Sequence, residues 1–128
     1  MKNYEVLFNQ GVEYYNQGDF EKAITIFSKA LDIIPENVSA EFIYYNRGLA
    51  KSCIGELASG IIDFDNAIKI NANYDSAYRN RAINKDDLGD IKGAYADYNK
   101  AIVLDPEKNA DCSLRAIELL QLIEKNES

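Results

Sequence analysis

Apolar residues recur along this chain at the three- and four-residue spacing of an amphipathic helix. From Ala23 to Ile34 they occupy positions 23, 24, 27, 30, 31 and 34, which lie on one face of a helix. Similar stretches are separated by glycine, by proline or by short polar runs, all of which break helices. The pattern predicts seven helices, at residues 4–17, 20–34, 39–54, 57–70, 74–88, 91–104 and 109–125.

The helical segments repeat along the chain. Three series of residues carry the repeat, with spacings of 37 and then 34 residues: Ala30, Ala67 and Ala101; Phe27, Phe64 and Tyr98; and Gly11, Gly48 and Ala82, which Ala116 follows after a further 34. A fixed period of this size is typical of helix–turn–helix repeats, whose two helices are called A and B below. The sequence predicts a single domain over 1–128, with repeat units at 4–37, 41–74 and 75–108 and a capping helix at 109–126.

Single residues support the predicted helix boundaries. Asp19 and Asp90 directly precede B helices, where a carboxylate accepts the free amide hydrogens of the first turn. Pro35 and Pro106 stand where a helix must stop. Repeat units 1 and 2 are separated by three additional residues within 36–40. Because three residues are close to one helical turn, we expect them to lengthen the third helix.

The sequence resembles the tetratricopeptide repeat family. The 34-residue unit of that family has an aromatic residue early in helix A, a glycine or alanine four residues later, and then a series of Ala, Phe, Ala and Pro. The resemblance covers residues 4–126, with departures at Leu7, Gly60, Ala72 and Cys112. It implies an all-α fold: a right-handed superhelical solenoid of three helix–turn–helix units plus a C-terminal capping helix.

Charged residues replace neutral ones at three positions of the later repeat units. Unit 1 has Gln10, Tyr14 and Ile26 where unit 2 has Arg47, Lys51 and Asp63, and unit 3 has Arg81, Lys85 and Asp97. Because arginine and aspartate arrive together, we interpret them as structural ion pairs. The pairs form either within a unit, Arg47 with Asp63 and Arg81 with Asp97, or between units, Asp63 with Arg81 and Asp97 with Arg115. Alternatively, the arginines face the groove and bind an acidic partner.

In the family, ligand peptides lie in a groove lined by the A helices, so the resemblance implies which side chains would contact a ligand. Here they are Phe8, Val12, Tyr15, Phe42, Tyr45, Asn46, Leu49, Arg79, Asn80 and Ile83. An exposed aromatic cluster with polar neighbours is typical of a binding surface. We expect the four aromatic residues to be anchors, and Asn46 and Asn80 to hydrogen-bond a peptide backbone. The alternative for each residue is packing between neighbouring helices.

One variant of the family binds the acidic carboxyl termini of heat-shock chaperones. Its clamp requires lysine at Phe8, asparagine at Val12 and Asn46, lysine at Ser76 and arginine at Asn80, and only Asn46 complies. The sequence therefore predicts that heat-shock chaperone tails are disfavoured partners.

Composition narrows the function further. The chain has no histidine and no glycine-rich phosphate loop, which disfavours an enzyme and predicts no cofactor and no metal site. A net charge of −7 repels phosphate backbones and anionic lipids, so neither nucleic acid nor membrane is an expected partner. Residues 1–10 lack the apolar run of a signal peptide, which predicts a cytoplasmic protein.

These observations together predict a non-enzymatic protein–protein interaction module. It would bind a peptide or helical segment of a partner protein in the concave groove of the A helices. The alternative is a self-associating scaffold that forms homo-oligomers through the groove or the terminal helix. The sequence leaves open which protein is bound, in which pathway, and whether the ligand is extended or helical.

Overall fold

A computed structural model describes residues 2–127, and within that range the chain forms seven α-helices and no strand. The helices are α1 Asn3–Asn16, α2 Phe20–Ile33, α3 Glu41–Cys53, α4 Leu57–Ile70, α5 Asp75–Asp87, α6 Ile91–Leu104 and α7 Cys112–Glu127. Each end lies within three residues of its prediction, and the all-α fold class is confirmed. Among the described residues, no helix is long and apolar enough to cross a membrane.

Each A helix turns into its B helix through a glycine with positive φ. Gly18, Gly55 and Gly89 have φ values of 81°, 83° and 86°, which only glycine adopts at little cost. At the first turn the amide of Gly18 donates to the carbonyl of Tyr15 and the amide of Asp19 donates to that of Tyr14, at 3.0 and 2.9 Å. This pair of bonds ends α1 as a Schellman motif, and the other two turns repeat it.

The predicted caps of two B helices are confirmed. The carboxylate of Asp19 accepts from the amide of Lys22 at 3.3 Å, and that of Asp90 accepts from the amide of Gly93 at 3.0 Å. Each bond satisfies an amide that has no partner within its helix. The local sequence thus sets where α2 and α6 begin.

The chain divides into two compact halves, an N-terminal half that ends at Ala72 and a C-terminal half that begins at Asn73. The prediction of a single domain over 1–128, with repeat units at 4–37, 41–74 and 75–108, stays a prediction. In the N-terminal half, α1 packs on α2, α2 on α3, α3 on α4 and α1 on α3. Its core contains Ala23, Phe27, Ala30, Ile43 and Ala50.

The small residues of α1 and α3 make room for aromatic rings. A methyl group added at Gly11 would lie 2.5 Å from a ring carbon of Phe27, and one added at Gly48 would lie 2.7 Å from a ring carbon of Phe64. These distances are below van der Waals contact. The A and B helices of repeat units 1 and 2 therefore approach as closely as they do because these positions are glycine.

In the C-terminal half, α5 packs on α6 and α6 packs on α7. The core of this half is formed by Ala82, Ala94, Tyr98, Cys112, Ala116 and Leu119. The buried Ala116 and Leu119 of α7 close the core, whereas Leu114 and Ile117 on the same helix are 67% and 54% exposed. The terminal helix thus has one buried face and an apolar exposed one.

Two expectations about connecting segments are wrong. The three additional residues within 36–40 form a turn outside α3, because Val38 donates its amide to the carbonyl of Pro35 and the helix begins only at Glu41. Helix α7 begins at Cys112 instead of 109, because Asn109 is fully buried in a turn. Its amide nitrogen Nδ2 donates to the carbonyls of Ala101 and Asp105.

Candidate peptide-binding surfaces

Four half-buried aromatic residues of α1 and α3 form what we call the aromatic surface: Phe8, Tyr15, Phe42 and Tyr45. The ring of Phe8 meets that of Phe42 edge-on at 4.8 Å between centroids and also lies 5.8 Å from the core ring of Phe27. The ring of Tyr45 lies 5.8 Å from that of Phe64. Three of the predicted anchors, Phe8, Phe42 and Tyr45, therefore also pack against neighbouring rings. Their role in binding stays a prediction.

Tyr15 links the aromatic surface to an exposed thiol. The Sγ of Cys53 donates to the phenol oxygen of Tyr15 at 3.8 Å. Desolvation first, and then the bond to Cys53, raise the pKa of Tyr15 to about 12. The phenol is therefore neutral at physiological pH and presents a hydroxyl beside apolar rings. Val12 and Leu49 are half-buried on the same two helices.

The two predicted backbone-binding asparagines make the same local bond. Nδ2 of Asn46 donates to the carbonyl of Phe42 at 2.7 Å, and Nδ2 of Asn80 donates to the carbonyl of Ser76 at 2.9 Å. Each bond runs back one helical turn and fixes the rotamer of the amide. Both asparagines are half-buried, and the amide orientation they present is thereby set before any ligand arrives.

Helix α5 carries the other predicted groove residues, of which Ile83 is 37% exposed. The guanidinium of Arg79 donates to both carboxylate oxygens of Asp111, Nη1 to Oδ1 at 2.7 Å and Nη2 to Oδ2 at 2.6 Å. Nη1 also lies 3.4 Å from Oδ1 of Asn109. The hydrogen bond from Arg79 lowers the pKa of the Asp111 carboxyl, so this carboxylate is ionised.

A lysine lies beside Arg79 in the same bonded network. Nζ of Lys108 is 2.5 Å from Oγ of Ser76 and 3.1 Å from Oδ2 of Asp75. The same Oδ2 accepts from Nδ2 of Asn109 at 3.1 Å, and Asn109 in turn contacts Arg79. We call Arg79 and Lys108 the cationic patch. The sequence pattern indicated Arg79 but missed Lys108 and Asp111, which come from the turn between α6 and α7.

The arginine and aspartate pairs occur within the repeat units. Arg47 binds Asp63 through two bonds, Nε to Oδ2 at 2.9 Å and Nη2 to Oδ1 at 2.7 Å, and Lys51 adds a contact at 3.1 Å. Asp63 is fully buried, and its hydrogen bond raises the pKa of Arg47. Arg47 also donates to Oγ of Ser28 at 3.0 Å, which joins α2, α3 and α4.

Repeat unit 3 contains the same arrangement. Arg81 binds both oxygens of Asp97 at 2.7 Å, and Lys85 lies 3.0 Å from that carboxylate. Arg115 takes a different partner and binds both oxygens of Asp86 at 2.7 Å. The hydrogen bond from Arg115 lowers the pKa of Asp86. We call the two sets Arg47–Lys51–Asp63 and Arg81–Lys85–Asp97 the ion triads.

Comparison with known proteins finds one repeat by sequence and similar solved structures over most of the chain. Residues 4–37 match the family model described as tetratricopeptide repeat. The first TPR of Spaghetti (RPAP3), bound to the HSP90 peptide SRMEEVD, is similar, with a TM-score of 0.84 and 26% identity over 94% of this chain and 93% of that one. The Sgt2 TPR domain from Aspergillus fumigatus has a TM-score of 0.81 and 25% identity over 99% and 83%. Residues 4–37 are thus similar to a tetratricopeptide repeat in sequence, and the chain as a whole is similar to solved tetratricopeptide repeat domains.

A further similar tetratricopeptide structure is the first TPR domain of human RPAP3. It has a TM-score of 0.82 and 26% identity over 97% of this chain and 94% of that one. No curated protein matches the sequence. Among the described residues, no group of three or more Cys, Asp or Glu side chains is arranged to hold a metal ion. Independently of these absences, the similarity to tetratricopeptide repeat domains supports a protein-interaction module.

The prediction that heat-shock chaperone tails are disfavoured partners is wrong. The first TPR of Spaghetti, which is 26% identical to this chain and covers 94% of it, is bound to an HSP90 peptide. The prediction compared the A helices position by position, and it missed a cation from another element. Lys108 places its ammonium 2.5 Å from the hydroxyl of Ser76, the position at which a lysine was required. Arg79 directly precedes Asn80, the position at which an arginine was required.

Proposed function

We propose that the chain is a non-enzymatic module that binds a segment of a partner protein on the faces of its A helices. The observation that supports this most is the aromatic surface, where four half-buried rings lie on the packed helices α1 and α3 and two of them, Phe8 and Phe42, are in contact. Rings of this kind lose little conformational entropy when a ligand covers them. They would take the apolar side chains of the ligand, while Asn46 would hydrogen-bond its backbone.

The ligand class can be narrowed by charge. In the C-terminal half, the cationic patch, which lies on α5 and in the turn between α6 and α7, would meet an acidic group. The HSP90 peptide SRMEEVD, to which the similar first TPR of Spaghetti is bound, ends in EEVD, a sequence with three carboxylate side chains. We therefore propose that partner segments combine an apolar residue with carboxylates, and that SRMEEVD is a suitable first probe. The predicted cytoplasmic location stays a prediction.

The test of the aromatic surface is a binding titration with fluorescently labelled SRMEEVD, together with affinity capture from an extract of the source cells. A Phe42→Ala, Tyr45→Ala double variant is compared with a control that removes two exposed apolar side chains from B helices, Ile33→Ala, Ile62→Ala. Both variants are first checked for unchanged helical circular dichroism. We expect the ligand to be lost with the first variant and kept with the control.

If both variants retain the ligand, binding lies on another face and the proposed site is wrong. If both lose it, the loss reflects reduced stability. The variant Phe42→Leu then separates an effect on stability from an effect on ligand contact, because it keeps an apolar side chain against Phe8. Retention of ligand by Phe42→Leu with normal stability would also argue against a specific aromatic anchor.

Self-association is the second candidate, favoured by the exposed Leu114 and Ile117 of α7. Exposed apolar side chains on a terminal helix offer a self-complementary surface. Light scattering at two protein concentrations decides this candidate. A mass that rises with concentration, and returns to that of a monomer in Leu114→Lys, Ile117→Lys, supports it, and a constant monomer mass rejects it.

A further inference from the structure

Arg79 of the cationic patch is already occupied by a carboxylate. Its two terminal nitrogens meet the two oxygens of Asp111 at 2.7 and 2.6 Å. This paired geometry is the one in which arginine recognises the carboxylate of a ligand. The bonds therefore place Asp111 where a ligand carboxylate would be bound.

The Asp111 carboxylate is also exchangeable. Its side chain is 63% exposed, whereas that of Arg79 is 28% exposed. An ion pair that is open to water on one side contributes little to stability. Replacing Asp111 by another carboxylate would therefore change few contacts of the fold, because Arg79 stays in place and Asp111 moves into solvent.

The turn that carries Asp111 is held rigidly at its start. Asn109 is fully buried, and its Nδ2 donates to the carbonyls of Ala101 and Asp105 and to the carboxylate of Asp75. Lys108, one residue earlier, is fixed against Ser76 and Asp75. The patch is thus positioned without a ligand, and only the last carboxylate of the network, Asp111, extends into solvent.

The charges around the patch balance while Asp111 is bound. Arg79 and Lys108 are opposed by Asp75 and Asp111. Displacement of Asp111 leaves Arg79 without its bidentate partner, which a ligand carboxylate restores. A neutral ligand gains nothing by this exchange, because it cannot supply the lost charge.

We infer that Asp111 is an internal competitor for the cationic patch, so that a peptide carboxylate binds Arg79 only by displacing it. The inference rests on the proposed function for the class of ligand, but the competition is a property of Arg79 and Asp111 alone. Its consequence is selectivity, since carboxylates that pair with Arg79 better than Asp111 does are the ones that bind.

Removal of the competitor tests the inference. Asp111→Asn keeps the shape of the side chain but removes its charge. Glu124→Gln is the matched control, since it removes one charge from an exposed position of α7. We expect Asp111→Asn to tighten binding of SRMEEVD about two- to fivefold relative to the control, the range for an exposed ion pair.

The gain in affinity for SRMEEVD that we expect from Asp111→Asn should disappear in the double variant Arg79→Gln, Asp111→Asn. An equal gain in Glu124→Gln would show that net charge alone acts, and it would overturn the competition, as would no gain in Asp111→Asn. A peptide with an amidated carboxyl terminus distinguishes the source of the ligand carboxylate. If the amidated peptide keeps the gain, a side-chain carboxylate occupies the patch, and if it loses the gain, the terminal carboxylate does.

A second measurement separates this inference from the proposed function. Acetate is titrated into wild type and Asp111→Asn while the NMR resonance of Nε–Hε of Arg79 is followed. A response at lower acetate concentration in the variant supports the competition even if SRMEEVD does not bind. Equal responses overturn it, whatever the peptide does.

Discussion

At the scale of single residues, each ion triad holds a buried aspartate between an arginine and a lysine. Asp63 is fully buried, and its carboxylate contacts Arg47 and Lys51 on α3. A buried ion pair adds little net stability compared with apolar side chains, but loss of one member leaves the other charge uncompensated. The triad is therefore sensitive to single substitutions and tolerant of complete replacement.

We expect Asp63→Asn to lower the free energy of unfolding by about 3 kcal/mol, because two cations then lack their carboxylate. The chain supplies its own control, because repeat unit 1 has neutral side chains at the three positions. The triple variant Arg47→Gln, Lys51→Tyr, Asp63→Ile copies that unit and should stay within about 1 kcal/mol of wild type. Urea denaturation measures both, and a triple variant as unstable as Asp63→Asn would contradict the explanation.

Tyr98 gives a prediction about pH. Burial, and then the negative charge of Asp86, raise its pKa from 10.0 to about 12. A folded-state pKa above the unfolded one contributes stability that is complete below pH 10.0 and is lost as pH rises towards about 12. In Tyr98→Phe the decline of unfolding free energy over this range should be shallower than in wild type, by urea denaturation at several pH values. An identical decline would show that Tyr98 titrates normally.

At the scale of elements, the turn before α7 depends on one buried side chain. Asn109 joins the end of α6 to the start of α5 through Ala101, Asp105 and Asp75. Because these bonds form inside the C-terminal half, the docking of α7 depends on a polar contact as well as on Ala116 and Leu119.

We expect Asn109→Ala to cost about 2–3 kcal/mol of unfolding free energy, since buried polar groups lose their partner. Hydrogen exchange should accelerate first in α7 and in the turn before it. Asn126→Ala, at an exposed position near the end of α7, is the control and should change stability by less than about 0.5 kcal/mol. Uniform acceleration over all helices would mean that the turn does not act on α7 in particular.

The sequence allowed the elements to be predicted because each boundary has a local cause. Gly18, Gly55 and Gly89 supply the left-handed turns, and Asp19 and Asp90 supply caps. The contacts of Lys108 and Asp111 could not be predicted, because each joins residues 32 apart through a turn with no repeat signature. One signal in the sequence could have indicated that this turn contacts α5. Asp75 and Asn109 are 34 residues apart, which is one repeat period.

At the scale of the whole molecule, two electrostatic effects act on an acidic ligand in opposite directions. The net charge of −7 would repel the proposed ligand over a long range, whereas the cationic patch would attract it at contact once Asp111 has left Arg79. The Debye length falls from about 30 Å at 0.01 M salt to about 8 Å at 0.15 M, so salt first removes the long-range repulsion. The predictions against nucleic acid and membrane partners, which rest on the same net charge, stay predictions.

Binding of SRMEEVD should therefore tighten between about 0.01 and 0.15 M salt and weaken between about 0.15 and 1 M, where contact pairs are screened as well. Calorimetric titration across this range measures the effect. In Arg79→Gln the weakening at high salt should be smaller. Affinity that falls steadily from the lowest salt concentration would mean that the patch outweighs the net charge at every distance.

The difference between the neutral unit 1 and the charged ion triads has a consequence for fidelity during folding. Repeats that share their small and aromatic positions allow an A helix to dock on the wrong B helix. If α3 took the place of α1 against α2, Arg47 and Lys51 would meet Ile26 instead of Asp63, and two cations would be buried without a counter-charge. The ion triads thus destabilise this misfolded pairing during folding relative to the native one, in which Asp63 neutralises the two cations.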